Sequence, residues 1–354
     1  MKALILAGGK GTRLRPITYT AKKELIPVAN KPIIFYGIEA IRDAGIRDIG
    51  MIVGENKEEV MGLLGNVTRL GINITYIEQP DPLGLAHAVK IAEPFLQQEP
   101  FIMYLGDNIL RDGVIEFVRA FKKKTPNALI LLTRVKNPQA FGVAELNNNR
   151  VFRLVEKPKH PRSDLALVGV YLFDKNIFKA VNNIQPSWRN ELEITDAIQW
   201  LIDHGYTVDS HLVTGWWKDT GKPEDVLHAN RLTLETLETQ ILGTVDEHST
   251  VSGRVAIGAG SQILFSTIRG PVIIGSKCKI VNSYIGPFTS IADQVSITNS
   301  EIENSIIMKE TEISDIEGRI DESLIGQGVS ITNSNMKPRA YKLILGDKST
   351  VKMG

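Results

Sequence analysis

Met1-Lys-Ala-Leu-Ile-Leu-Ala-Gly-Gly-Lys-Gly-Thr-Arg-Leu-Arg-Pro16 opens the chain. Its apolar run over residues 3–7 is short and uninterrupted, as in a strand buried on both faces. The run breaks into Gly8, Gly9 and Gly11, whose bare backbone N–H groups can approach a bulky anion closely. Arg13 and Arg15 follow within reach of that loop, and Lys23 comes ten residues after Arg13. Glycines beside several cations suit a triphosphate, whose charge must be neutralised before a nucleophile can approach. The stretch Gly9-Lys-Gly-Thr-Arg-Leu14 lacks the third glycine of a dinucleotide fingerprint, and it lacks the Gly-Lys-Ser/Thr ending of a phosphate loop. A purely structural turn is the plain alternative.

Downstream, strand-like and helix-like segments alternate. Apolar runs at 49–53, 72–77, 101–105 and 128–135 suit a buried sheet. Between them Ile34, Ile38 and Ile41 recur at helical spacing after Pro32, as do Val114, Phe117, Val118 and Phe121. The alternation predicts an α/β fold, a Rossmann-like and mostly parallel sheet with helices on both faces. Ligands of such sheets bind at the carboxyl ends of the strands, where the first glycine loop lies. Leu227, Leu232, Leu234, Leu237, Ile241 and Leu242 predict a last helix over 222–242.

From about residue 244 the period changes. Val251, Ile268, Ile285 and Ile302 are seventeen residues apart, as are Ile257, Ile274 and Ile291, and Ile263, Ile280 and Ile297. Three interleaved rows imply a three-sided coil whose sides each turn one aliphatic residue inward per rung. This pattern resembles the hexapeptide repeat of a left-handed parallel β-helix; a β-sandwich would space its strands less regularly. The expected domains are 1–242 and 243–354. The coil is expected to end at a break over 338–341, with Leu343, Ile344 and Leu345 capping it or packing on a neighbouring subunit.

The 354 residues suffice for two domains, and a net charge of +1 gives no hint of a nucleic-acid partner, so any anion site is local. A single cysteine, Cys278, excludes an intrachain disulfide and fits a reducing compartment. No segment has the length of a membrane span, so the expectation is a cytoplasmic protein with no membrane partner.

Four further segments carry chemistry. Asp107, in Leu105-Gly-Asp-Asn108, follows a predicted strand, and Asp219, in Trp217-Lys-Asp-Thr-Gly221, stands at a similar break. Either acid could help to hold a divalent metal, although a Gly-Asp pair can be only a turn. Gln79-Pro-Asp-Pro-Leu-Gly-Leu-Ala-His-Ala88 joins a strand to a helix. Gln79 has the donor and acceptor to read a pyrimidine edge, and Gly84 permits close approach of a base or ribose. His87 is a lone helical histidine, a residue that more often packs or faces solvent than catalyses. In Glu156-Lys-Pro158 a carboxylate can take hydrogen bonds from sugar hydroxyls while the ammonium holds a phosphate. In Trp188-Arg-Asn-Glu-Leu-Glu-Ile-Thr-Asp196, Glu193 is expected to be part of the acidic first turn of a helix.

The combined pattern G-G-x-G-T-R-L-x-P, continued by Lys23-Glu-Leu-Ile-Pro-Val-Ala-Asn-Lys-Pro32, resembles the sugar-1-phosphate nucleotidylyltransferases over about residues 1–240. Within that family it is most similar to the thymidylyltransferases that carry a C-terminal β-helix. The resemblance implies transfer of a nucleotidyl group from dTTP to glucose-1-phosphate with release of pyrophosphate, while the apolar tail gives the expectation of a homo-oligomer. It implies that Asp107 and Asp219 converge on one Mg2+. Catalytic roles fall on Arg13, Lys23 and Lys157. The nucleoside triphosphate falls to Leu6, Gly8, Gly9, Gly11, Thr12, Arg13, Lys23, Gln79 and Gly84. Sugar-1-phosphate falls to Gly142, Glu156, Lys157, Leu167, Arg189 and Trp217. Two departures bear on the sugar: Phe141 stands where the family often has tyrosine, and Leu167 where valine is frequent. Alternatives are a UTP-using relative and a bifunctional enzyme with an acetyltransferase site in the coil. The latter chemistry ordinarily uses a histidine base, and no histidine follows Val251.

Overall fold

In the computed structural model the opening apolar run is the strand Lys2–Leu6, with Ala3, Leu4 and Ile5 fully buried. The structure describes all residues except 21, 56, 66–69, 149, 334–347 and 352–354. The chain forms two compact units, Met1–Lys10 with Ile33–Asp219, and Gly11–Pro32 with Thr220–Gly354.

In the first unit Lys2–Leu6 lies parallel between Asp48–Val53 and Phe101–Leu105, and Asn73–Glu78 pairs parallel with Asp48–Val53. On the other side the sheet turns antiparallel: Leu165–Phe173 follows Phe101–Leu105, then Gly142–Asn147 and Arg150–Glu156. Ala128–Arg134 pairs with Leu165–Phe173, and Val208–Leu212 runs parallel to it. The sheet is therefore mixed. Parallel neighbours need long crossovers, whereas Gly142–Asn147 and Arg150–Glu156 are joined by a link too short for one. Helices cover both faces. Met103 and Leu4 share a core with Ala86, Val89, Ile177, Ile198 and Leu201, from three helices. Tyr104 points to the opposite face and meets the helix Ile33–Asp43, where a Cβ on Gly37 would lie 2.8 Å from its ring. Nine-residue burial of Leu165–Phe173 reflects this two-sided cover.

In the second unit the isoleucine rows form, among the described residues, three stacked parallel sheets of six, six and five short strands, the left-handed coil expected. Ile257 pairs with Ile274, Ile263 with Ile280 and Ile268 with Ile285, all buried in one core. Each enclosed isoleucine contributes about 1.5–3 kcal/mol. The described rungs continue through Ile307, Ile313 and Ile325 to Ser330–Thr332, with the spacing shifting from seventeen residues. The break expected at 338–341 and the tail with Leu343, Ile344 and Leu345 lie outside the described residues.

The last helix departs from expectation. It spans Pro223–Leu234, and Gln240–Ile241 is already a coil strand paired with Val255–Ile257. The leucine spacing runs on past Leu234, but Ile241 and Leu242 are exposed, so no apolar face rewards a longer helix. Asn230 of this helix is buried and fully used. Its Oδ1 accepts from Ala29 N at 2.8 Å and Ser290 Oγ at 2.7 Å, and its Nδ2 donates to Phe288 O at 3.0 Å. Asn30 Nδ2 donates to Ile291 O at 2.7 Å. The coil is thus part of what holds the segment that follows Gly11.

Candidate active site

The strand Lys2–Leu6 delivers Gly8 and Gly9 at its carboxyl end, and Leu6 O accepts from Gly106 N at 2.9 Å, tying the Gly106-Asp107 turn to the same edge. Gly8 needs no unusual backbone. A Cβ there would lie 3.5 Å from Gly54 N and 3.9 Å from Gln79 Oε1, so its bareness leaves room on the Gln79 side. Gly11 does need to be glycine: its φ is +60°, and a Cβ would sit 3.1 Å from Thr18 Cγ2. Gly11 O accepts from Thr18 Oγ1 at 2.7 Å and Leu14 N at 3.0 Å, closing the turn Thr12–Leu14 with Thr12 and Arg13 exposed. Lys23 Nζ lies 3.7 Å from Glu24 Oε1, a carboxylate with no exposed surface. Arg15, expected near the glycine loop, lays its guanidinium over the Tyr19 ring at 4.8 Å.

Gln79 follows the strand Asn73–Glu78. Its Nε2 donates to Gly84 O at 3.2 Å and lies 2.9 Å from His87 Nδ1. Gly84 has φ +104°, and a Cβ would fall 2.4 Å from Leu192 O, so only glycine fits. The lone histidine thus touches the predicted base-reading residue, a link that residue spacing alone does not show.

A two-stranded ribbon joins the segments that carry Asp107 and Asp219. Asn108–Leu110 runs antiparallel to Trp217–Asp219, with Asp219 directly opposite Asn108. Asn108 is the hub that sequence reasoning missed. Its Nδ2 donates to Asp107 Oδ1 at 2.9 Å, while its Oδ1 accepts from Gly169 N at 3.2 Å and from Trp217 Nε1. Gly169 is bare for this reason, since a Cβ would lie 2.7 Å from Asn108 Oδ1. Asn108 had a possible signal in sequence, its place in Leu105-Gly-Asp-Asn108, but nothing there distinguishes a hub from a turn residue. No group of three or more metal-binding side chains occurs among the described residues. Two carboxylates at one strand-end ribbon suit Mg2+ shared with substrate phosphates, because that ion takes one or two protein carboxylates and keeps other positions open.

At the Glu-Lys pair, Glu156 stands opposite Gly142 in the hairpin register. A Cβ on Gly142 would lie 2.7 Å from Thr195 Cγ2, 3.1 Å from Glu156 Oε2 and 3.6 Å from Leu167 Cδ1, so these four converge. Glu156 Oε2 accepts from Thr195 Oγ1 at 3.2 Å, and Oε1 faces Arg189 at 3.5 Å and Lys157 Nζ at 3.6 Å. Burial pushes the Glu156 carboxyl above its ordinary range and the Glu193 charge adds to that, against the opposing pull of Lys157 and Arg189. Lys157 holds a left-handed φ of 40°, a conformation a lysine adopts only when its surroundings enforce it. Its N–H donates to Phe141 O at 3.1 Å, and the Phe141 ring packs edge-on to Trp217 at 5.4 Å.

Glu193 differs from expectation. It precedes the helix Ile194–Asp203 in an extended conformation with no capping bond, is 3% exposed, and accepts from Ser187 Oγ at 2.9 Å and Arg189 Nη1 at 3.3 Å. A buried carboxylate needs a cation, and Arg189 supplies it. Arg189 also donates to Glu191 at 2.8 Å, so three acids surround it.

The nucleotidyl transferase family profile matches residues 2–236. A glucose-1-phosphate thymidylyltransferase of Streptomyces antibioticus is 54% identical, over 100% of this chain and 99% of that protein. The bifunctional protein GlmU of Methanocaldococcus jannaschii is 38% identical, over 92% of this chain and 78% of that protein. Among solved structures, a UDP-glucose pyrophosphorylase complexed with UDP-glucose superposes with a TM-score of 0.60 at 25% identity, covering 66% of this chain and 98% of that one. With these matches and a glycine loop, paired acids and a Glu-Lys pair at one set of strand ends, the chain belongs to the nucleotidyl transferase family of sugar-phosphate enzymes.

Proposed function

We propose that this chain transfers a thymidylyl group from dTTP to glucose-1-phosphate, releasing pyrophosphate. The observation that carries the reading is Gln79, held between Gly84 and His87 with its carbonyl oxygen on the Gly8 side. That oxygen can accept the ring N–H of thymine or uracil. The full-length similarity to the Streptomyces thymidylyltransferase supports the same base.

The attacking sugar-phosphate oxygen is already anionic at neutral pH, so no general base is needed. The task is to bring two polyanions together in line. On the motif, Leu6, Gly8, Gly9, Gly11 and Thr12 are assigned to the triphosphate, with Arg13 stabilising the departing pyrophosphate and Lys23 the triphosphate charge. Mg2+ held by Asp107 and Asp219 would neutralise nucleotide phosphate charge and draw electron density from the α-phosphorus. Lys157, its Nζ 3.6 Å from Glu156 Oε1, meets the sugar phosphate. Glu156 accepts from the sugar hydroxyls, with Gly142 leaving the space and Leu167 and Trp217 bounding it. Arg189 contributes positive charge and holds Glu156 in place.

The activity is assigned to residues 1–242, in the cytoplasm. The coil of 243–354 is assigned a structural and assembly role, without acetyl transfer. The exposed Ile241, Leu242 and Phe265 favour a homo-oligomer. Cys278 is buried with its thiol pushed up by desolvation, a poor nucleophile. The test is pyrophosphate release from each of dTTP, UTP, GTP and ATP with glucose-1-phosphate. We expect dTTP first and UTP second, since thymine's methyl adds only about 1 kcal/mol. Preference for GTP or ATP would overturn the reading.

A further inference from the structure

Which end of the Gln79 amide faces the nucleotide decides which base it accepts, and the surroundings of Gln79 determine that end. The Gly84 carbonyl can only accept, so the Gln79 atom 3.2 Å from it must be the NH2 group. That carbonyl cannot swing away. Gly84 presses on the Leu192 backbone, and the flanking chain is bonded to it on both sides, Leu192 N to Leu83 O at 2.8 Å and Ala86 N to Leu192 O at 3.0 Å. With Nε2 a donor, His87 Nδ1 at 2.9 Å has to be the acceptor, which requires a neutral ring protonated on its other nitrogen. Both Nε2 hydrogens are then committed. Oε1 is left on the Gly8 side.

We infer that His87 is a specificity-determining positioning residue: its Nδ1 takes the second Nε2 hydrogen and, together with the Gly84 carbonyl, holds the Gln79 amide so that only a carbonyl oxygen is presented to the base, which selects thymine or uracil over cytosine. The N3 atom of thymine or uracil carries a hydrogen and donates to Oε1. The N3 atom of cytosine is an acceptor and would face Oε1 lone pair to lone pair. The inference rests on the reading that Gln79 meets the base. Burial and the Lys90 charge keep the His87 ring in the neutral form that can accept, outweighing Asp81.

The experiment measures kcat/KM for dTTP and dCTP with glucose-1-phosphate in the wild-type chain and in Gln79→Ala, His87→Ala, His87→Lys and His87→Gln. We expect Gln79→Ala to collapse the dTTP:dCTP ratio. His87→Ala should lower the ratio about tenfold, the worth of one hydrogen bond, with KM for glucose-1-phosphate unchanged. His87→Lys, which has only donors to offer Nε2, should lower it at least as much, and it serves should the alanine variant not fold. His87→Gln, whose carbonyl can accept, should restore most of it. A wild-type ratio in His87→Ala or His87→Lys, with the ratio lost in Gln79→Ala, overturns the role of His87 alone. An unchanged ratio in Gln79→Ala overturns the base reading and the inference with it.

Discussion

Replacing Asn108 with alanine should both unsettle the first unit and disable turnover, although neither fold periodicity nor charge points to this residue. The side chain makes three hydrogen bonds: Nδ2 to Asp107 Oδ1, and Oδ1 from Gly169 N and Trp217 Nε1. Its removal strands the buried Gly169 N–H and the half-buried Trp217 N–H, at about 1–3 kcal/mol for each donor left without an acceptor. The smaller exposure penalty at Trp217 puts the sum at roughly 2–4 kcal/mol. At about 2–4 °C per kcal/mol for a domain of this size, melting should fall by at least about 4 °C. Asp107 loses the donor that orients it, so kcat should fall by about 10–100-fold, as when a metal ligand loses its outer partner. Asn108→Asp separates the two effects. It keeps both acceptor contacts, so melting should change less than in the alanine variant, while a second carboxylate beside Asp107 should lower kcat as much. Scanning fluorimetry and a pyrophosphate-release assay at saturating Mg2+ read both quantities. Asn108→Ala melting within about 1 °C of wild type with unchanged kcat would refute the hub.

Asp107→Asn should lower kcat on the order of 10³-fold with melting unchanged, and near-normal Mg2+-dependent turnover would remove the metal assignment. Glu156→Gln tests a buried charge: because burial raises the native carboxyl's pKa, the stability of its protonated form is present at low pH and lost as pH rises from the ordinary carboxylate range through the raised value. Near pH 7 the glutamine variant should therefore melt no lower than wild type, while kcat/KM for glucose-1-phosphate falls about 10–100-fold; a lower melting temperature would contradict the linkage. Deleting residues after 244 removes the partners of Asn30 and two of the three bonds of Asn230, so the truncated chain should lose solubility and activity together; a soluble, fully active fragment would show the coil dispensable.

Much of this protein was legible in the order of its residues, because the relevant signals are local or periodic. The strand Lys2–Leu6, the helix Ile33–Asp43 and the three isoleucine rows are each read from neighbours within a few residues or at a constant interval. Gly8, Gly9 and Gly11 stand out as a candidate anion loop for the same reason, as residue types in one short run. What tertiary structure alone decided are pairings that no local or periodic signal marks. Glu193 could have served the helix it precedes, but a buried carboxylate must find a cation, and Arg189 was within reach only once the loop had folded. The helix predicted to Leu242 stopped at Leu234 because Ile241 gained backbone partners from a strand sixteen residues on. Asn108 looks like a turn residue until Gly169 and Trp217, 61 and 109 positions away, bring their N–H groups to it. His87 looks like an ordinary helical histidine until the Gly84 carbonyl fixes the amide beside it. Composition and period determine which segments become strands, helices and rungs, since those depend on local sterics and on burial of one face. Which polar group satisfies which is settled only when distant segments exclude water from between them.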